Sequence, residues 1–165
     1  MRILGIDPGT LAMGYGVIED EGDQPRMVEC GVLTTRSAMP LPERLHELHI
    51  GLTDLIVRFR PDEMAIEEPF VARNVRSALA IGRAQAIAML AAASHNMPVS
   101  TYPPAKVKSG VADYGRGDKE QVQRMVCMQL GLAEKPGTSD ATDALAVALC
   151  HIREKQLASL LARSE

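Results

Sequence analysis

The chain has 165 residues, 46% of them hydrophobic and 24% charged, with 18 basic against 21 acidic side chains and a formal net charge of -3. That length suits one ordinary domain and that composition allows a real core and excludes a disordered or fibrous chain, while the acidic balance argues against a protein that coats nucleic acid through bulk positive charge. Only five aromatic side chains occur (Tyr15, Phe59, Phe70, Tyr102, Tyr114), too few for a base-stacking sheet.

Residues 2–6 (RILGI) form a short apolar run stopped by Asp7, Pro8 and Gly9, the pattern of a buried strand ending in a turn. Residues 15–19 and 27–34 read as two further strands around a polar turn, so the chain opens as a three-strand meander. Over Leu41–Phe59, apolar residues return every three or four positions and predict a helix with one buried stripe. Residues 63–67 (EMAIE) give a fourth strand cut off by Pro69, and residues 75–95 a second helix closed by Asn96 and Pro98. Residues 97–102 supply a fifth strand. A short helix is expected around 105–109, a loop over 110–117, a helix over 119–130 capped by Asp118, and a last helix capped by Thr138 or Ser139 and running to about 161. Strands first, then alternating helix and strand, imply an α/β fold with a mixed sheet covered by helices. Three widely spaced cysteines (Cys30, Cys127, Cys150) suggest neither a disulfide framework nor a zinc cluster and fit a reduced, cytoplasmic setting. The N-terminus has no signal-peptide core, and no run approaches the ~18 apolar residues of a membrane span, so no membrane partner is expected.

Four acids stand out. Asp7 ends the first strand, where open sheets place their ligand sites. Glu67 ends the fourth; strand alternation sends Ala65 and Glu67 to one side and Met64 and Ile66 to the other, so only one of Glu67 and Glu68 can join Asp7. Asp140 and Asp143 sit three apart, on one face of the first turn of an otherwise small and apolar helix. Singly, each has an ordinary reading as a turn residue, a solvated strand end or a dipole-compensating acid. Together they would repel one another. Divalent cations relieve that repulsion: Mg²⁺ prefers oxygen ligands, and two such ions ~4 Å apart serve in-line displacement at phosphorus. Spacing alone does not establish that the four converge.

The segments GIDPGT and GYGVIE, AIEEPF, Phe70 through NVRSALAIGRAQ, KVKSGV, GDKEQVQRMV and SDATDALAVAL, in this order and over nearly the whole chain, resemble the RuvC-type Holliday junction resolvases of the RNase H-like superfamily. The resemblance implies an RNase H-like five-stranded mixed sheet, three antiparallel strands then parallel ones, flanked by helices on both faces, with residues 1–165 as one nuclease domain. It also implies a homodimer that nicks two like-polarity strands of a four-way DNA junction, leaving 5′-phosphate and 3′-hydroxyl ends, with the RuvA and RuvB branch-migration proteins as partners. The family's four acids map onto Asp7, Glu67, Asp140 and Asp143, as catalytic residues and ligands of Mg²⁺, two ions per site, with Mn²⁺ as a substitute. Some relatives carry His at the position of Asp140. Phe70 matches a residue that contacts bases near the crossover, and Lys108 and Lys119 match basic positions near the scissile phosphate or DNA backbone.

Charge is partitioned in a way that suits DNA. From Arg73 to Arg124 there are eight basic residues and three acids, a local +5, and the rest of the chain holds 10 against 18, hence -8. Arg73, Arg76, Lys106, Lys108, Arg116 and Lys119 in that segment are the candidate phosphate contacts, although solvated helix faces produce the same excess. Two alternatives stand beside the resolvase reading. One is a non-catalytic junction-binding protein of the same fold, disfavoured because all four acids are present. The other is an actin-like or sugar-kinase-like ATP-binding protein, which GIDPGT also suggests but which requires a second related domain.

Overall fold

The computed structural model describes residues 1–22, 24–69, 75–112 and 119–162. Strands β1 (Arg2–Asp7), β2 (Ala12–Glu19) and β3 (Arg26–Thr34) make an antiparallel meander; β4 (Glu63–Glu67) and β5 (Val99–Tyr102) extend it in parallel, in the order β3-β2-β1-β4-β5. Side-chain alternation divides the core in two. Leu4, Ile6, Met64 and Ile66 are buried against α1 (Leu41–Phe59) and α2 (Val75–Ser94). Ile3 and Ala65 point the other way, against α3 (Pro104–Val111), α4 (Lys119–Gln129) and α5 (Ser139–Ala162). The fold is the expected α/β, RNase H-like mixed sheet with helices on both faces.

Local chemistry explains most boundaries. Helix α1 carries a proline in its first turn and stops at Arg60, whose left-handed φ of 47° lets its N–H reach the Ile56 carbonyl. Asn96, at φ 55°, ends the chain segment after α2 in the same conformation. Of the two cap candidates for α5, Thr138 takes the role: its Oγ1 accepts from the Ala141 N–H at 3.4 Å. Strand β2 starts three residues before the predicted position, because residues 8–11 complete the reversal and Gly14 already pairs with Asp7. Asp118, the expected cap of α4, lies outside the described residues.

Helix α2 modifies the expectation about membranes. Its 20 residues are long and apolar enough on average to cross one, although Arg83 and Gln85 interrupt the run. Mean hydropathy misses the arrangement: Ala84, Ala88, Ala91 and Ala92 are fully buried against the sheet, as in a helix that covers one face of a core, while Leu79 and Leu90 on the other side are exposed.

Helix α5 lies closer to the sheet than side chains normally permit. A Cβ on Gly5 would meet the Ala144 carbonyl and, at 2.9 Å, the Ala148 side chain; a Cβ on Gly14 would meet the Asp140 backbone. The two glycines therefore let the α5 backbone rest directly on β1 and β2. This close approach brings the acids at the start of α5 down to the strand ends.

Candidate active site

Strands β1 and β4 run parallel in register, Ile3 to Ile6 opposite Glu63 to Ile66, so the next residues, Asp7 and Glu67, finish adjacent strands side by side. Both follow residues of the α5 face by strict alternation. Glu68 goes the other way: the Thr101 hydroxyl donates to its Oε1 at 2.7 Å and its N–H donates to the Tyr102 carbonyl. The predicted choice between Glu67 and Glu68 is thus made by the pleat.

From above, the first turn of α5 adds Asp140 and Asp143. Asp7, Asp140 and Asp143 each offer a carboxylate oxygen, and these three oxygens lie within 4.8 Å of one another. Glu67 and Asp143 also line one cavity of about 270 Å³ with Pro104, Lys108, Lys119 and Val122. Residues from two strand ends and three helices therefore meet at one point.

Electrostatics mark the same point. Burial, followed by repulsion from Glu67, Asp143 and Asp140, pushes the Asp7 carboxyl from 3.8 up to about 7, and Lys119 offsets only part of this. Glu67 is raised too, by burial first and then by Asp143, against the pull of Lys108, Lys119 and a hydrogen bond from Asp7. The Lys119 ammonium lies 2.7 Å from Asp143 Oδ2, and that hydrogen bond raises the lysine above its ordinary value despite partial burial. Carboxylates held together at such cost form a hard, oxygen-only donor set, the kind that divalent cations such as Mg²⁺ or Mn²⁺ occupy.

The basic candidates separate. Lys108 and Lys119 face the acidic cavity. Lys106 turns to the other side of α3, where its Nζ is 2.9 Å from Glu154 of α5. Arg76 sits in the first turn of α2, across the sheet from α5. Phe70, Arg73 and Arg116 lie outside the described residues. The sequence reading did not anticipate the Lys119–Asp143 pair, nor the two glycines that seat α5, although both glycines fall inside the motifs GIDPGT and GYGVIE.

A mixed α/β sheet with clustered carboxylates at its strand ends and lysines beside them defines the class of metal-dependent nucleases. Comparison with known proteins narrows it. The family model of crossover junction endodeoxyribonuclease RuvC matches residues 3–151. A RuvC from Dehalococcoides mccartyi is 49% identical over 165 residues, covering 100% of this chain and 99% of its own, and one from Chloroflexus aggregans is 52% identical over 151 residues, covering 92% of each. The solved Thermus thermophilus RuvC in complex with a Holliday junction substrate is similar at a TM-score of 0.86 and 35% identity, over 95% of this chain and 96% of the other. The chain belongs to the RuvC family of crossover junction endodeoxyribonucleases.

Proposed function

We propose that this chain resolves Holliday junctions in recombination and repair, with residues 1–165 acting as one nuclease domain and Asp7, Glu67, Asp140 and Asp143 as its catalytic carboxylates. The observation that carries the assignment is the convergence of Asp7, Asp140 and Asp143 within 4.8 Å, beside a cavity lined by Glu67, Lys108 and Lys119. The four carboxylates hold Mg²⁺, two ions per site, with Mn²⁺ as a substitute. When bound, such ions lower the pKa of water and neutralise charge on the phosphoryl group.

The chain's own groups do the rest. Asp7 and Glu67 fix the floor of the site from two hydrogen-bonded strands, and Asp140 and Asp143 close it from the helix. Lys119 and Lys108 hold the phosphate against a surface that would otherwise repel it. Hydrolysis adds a water oxygen to phosphorus and breaks the bond to the 3′ oxygen, leaving a 5′-phosphate and a 3′-hydroxyl. Phe70, Arg73, Arg76 and Arg116 extend the DNA contact, with Lys106 a weaker contributor because Glu154 already neutralises it.

Two like-polarity cuts require two sites related by a two-fold axis. Helix α2 suits such an axis: opposite its buried alanine face, Val75, Leu79 and Leu90 are exposed. The homodimer works in the cytoplasm with the RuvA and RuvB branch-migration proteins. The decisive experiment incubates wild type and Asp7→Asn with a synthetic four-way junction and Mg²⁺ or Mn²⁺. Paired nicking lost in the variant while junction binding persists is the expected result; undiminished cleavage by the variant overturns the assignment. A monomeric mass by sedimentation at working concentration overturns the dimer.

A further inference from the structure

Away from the site, a second polar cluster is buried between α5 and the sheet. His151 is 1% exposed. Its Nδ1 is 2.7 Å from the Tyr102 hydroxyl and its Nε2 2.9 Å from Glu63 Oε2, while Lys155 donates to Glu63 Oε1 at 2.6 Å. The Tyr102 and His151 rings meet edge to face, with centroids 5.8 Å apart. One proton arrangement satisfies every group: Tyr102 donates to Nδ1, Nε2–H donates to Glu63, and the imidazole is neutral. Burial, partly countered by Glu63, favours that neutral form.

We propose that His151 is a positioning residue for the nuclease site, setting where along the sheet α5 lies and hence how Asp140 and Asp143 meet Asp7 and Glu67. This rests on the carboxylate assignment above. Over Gly5 and Gly14 the contact of α5 with β1 and β2 is smooth, with Ala144, Ala148 and bare backbone above, whereas Leu145 is seated on Gly16 and packs with Ile3 and Ile18. The glycine stretch nearest the acids has no ridges to interlock, so it fixes distance better than lengthwise position, which the apolar packing around Leu145 sets without directional bonds. Hydrogen bonds are directional and a buried imidazole must satisfy both nitrogens, so His151 adds directional register to that packing, as single buried polar groups do in helix pairs. Its partners suit the task. Glu63 begins the strand that ends at Glu67, and Tyr102 is the ladder partner of Glu67. On the helix, His151 lies eleven residues beyond Asp140, three turns along the same stripe and ~16 Å away. A shift at the His151 end is carried rigidly to the acids.

The test measures Mn²⁺ affinity by calorimetry, and kcat and KM on a four-way junction, for His151→Phe, His151→Gln and Tyr102→Phe. Circular dichroism identifies a temperature at which each is folded. Removing groups that bond metal ligands directly weakens metal binding by about tenfold to a hundredfold, so a shift carried to the ligands through α5 is expected to cost about tenfold. His151→Phe is expected to weaken Mn²⁺ binding to that extent and to lower kcat by a similar factor with junction KM little changed, and His151→Gln, which keeps a donor toward Glu63, to recover part of both. A buried histidine that serves stability alone would lower the melting temperature and leave the affinity of the folded protein unmoved; Mn²⁺ affinity and kcat within about twofold of wild type in folded His151→Phe overturn the proposal. If that variant does not fold, Tyr102→Phe, which removes one hydroxyl and keeps the ring, decides the matter by the same twofold criterion. A wild type that binds no Mn²⁺ overturns the functional reading and this inference with it; a wild type that binds and cleaves beside unaffected variants overturns this inference alone.

Discussion

The two ends of β4 carry carboxylates in opposite circumstances. Glu63, at its start, is partly buried, which works against its charge, yet hydrogen bonds from Lys155 and His151 outweigh burial and hold its pKa below the ordinary carboxylate value. Glu67, four residues later, shares its surroundings with Asp7 and Asp143, and its pKa is raised. One strand thus begins in a cluster whose cation balances its carboxylate and ends in one where carboxylates outnumber the lysines beside them. The difference separates support from function: a fold balances the charges of its scaffold, whereas perturbed, incompletely balanced carboxylates mark a candidate site.

Four substitutions attack that contrast directly. The largest effect is expected between neighbours. Glu67→Gln should lower single-turnover cleavage of a junction about a thousandfold, ~4 kcal/mol of barrier, while Glu68→Gln, which keeps an acceptor for Thr101 on the other face, should stay within about twofold. Equal losses in both would remove the distinction drawn by the pleat.

Next comes stability as a function of pH, which should run in opposite directions in the two clusters, read at Asp7 beside Glu67 and at Glu63. A carboxyl whose folded pKa is raised stabilises the fold fully below its unfolded pKa, and that contribution is lost as pH rises through the folded value. For Asp7 the window runs from 3.8 to about 7, worth at most ~4 kcal/mol at ~1.4 kcal/mol per unit. Metal-free Asp7→Asn should therefore melt above wild type at pH 8, and the advantage should fade toward pH 4. Glu63 has a lowered pKa, so its contribution is present above the ordinary carboxylate pKa and lost as pH falls through the folded value. Glu63→Gln should lower the melting temperature at pH 8. Thermal unfolding in a chelating buffer checks both signs, and added Mg²⁺ should stabilise wild type more than Asp7→Asn. A smaller loss, ~1–3 kcal/mol, is expected from Gly5→Ala, whose methyl would meet the Ala144 carbonyl and lift α5 from the sheet.

Much of this was legible in the sequence because it follows from short-range periodicity. Two-residue alternation separated Glu67 from Glu68, and the i, i+3 spacing put Asp140 and Asp143 on one face before any tertiary contact was known. What depends on contacts between distant segments was less accessible. Gly5 and Gly14 read as ordinary motif residues, since their role is defined only by a helix some 130 residues later. His151 carried a weak signal, a polar residue in the fully buried run from Ala144 to Ile152, but nothing local points to Glu63 or Tyr102 as its partners. In helix α2 average hydropathy alone matches a membrane span, and only the positions of its buried alanines place it on the core.

The basic segment gives the finest test of what periodicity misses. Lys106 and Lys108 are two residues apart on α3, so a helix turns them some 200° from each other, and they meet different partners. Lys106 is 2.9 Å from Glu154, and Lys108 lines the acidic cavity. A lysine that neutralises a phosphate releases a counterion, so its removal should reduce the slope of log affinity against log salt by about 0.9 on duplex arms. An ammonium already paired with a carboxylate releases little. Lys108→Ala should show that reduction in junction binding measured across a salt series without divalent metal, and Lys106→Ala should leave the slope nearly unchanged. If both slopes fall equally, Glu154 gives Lys106 up to DNA, and the +5 segment contacts the junction as a continuous surface.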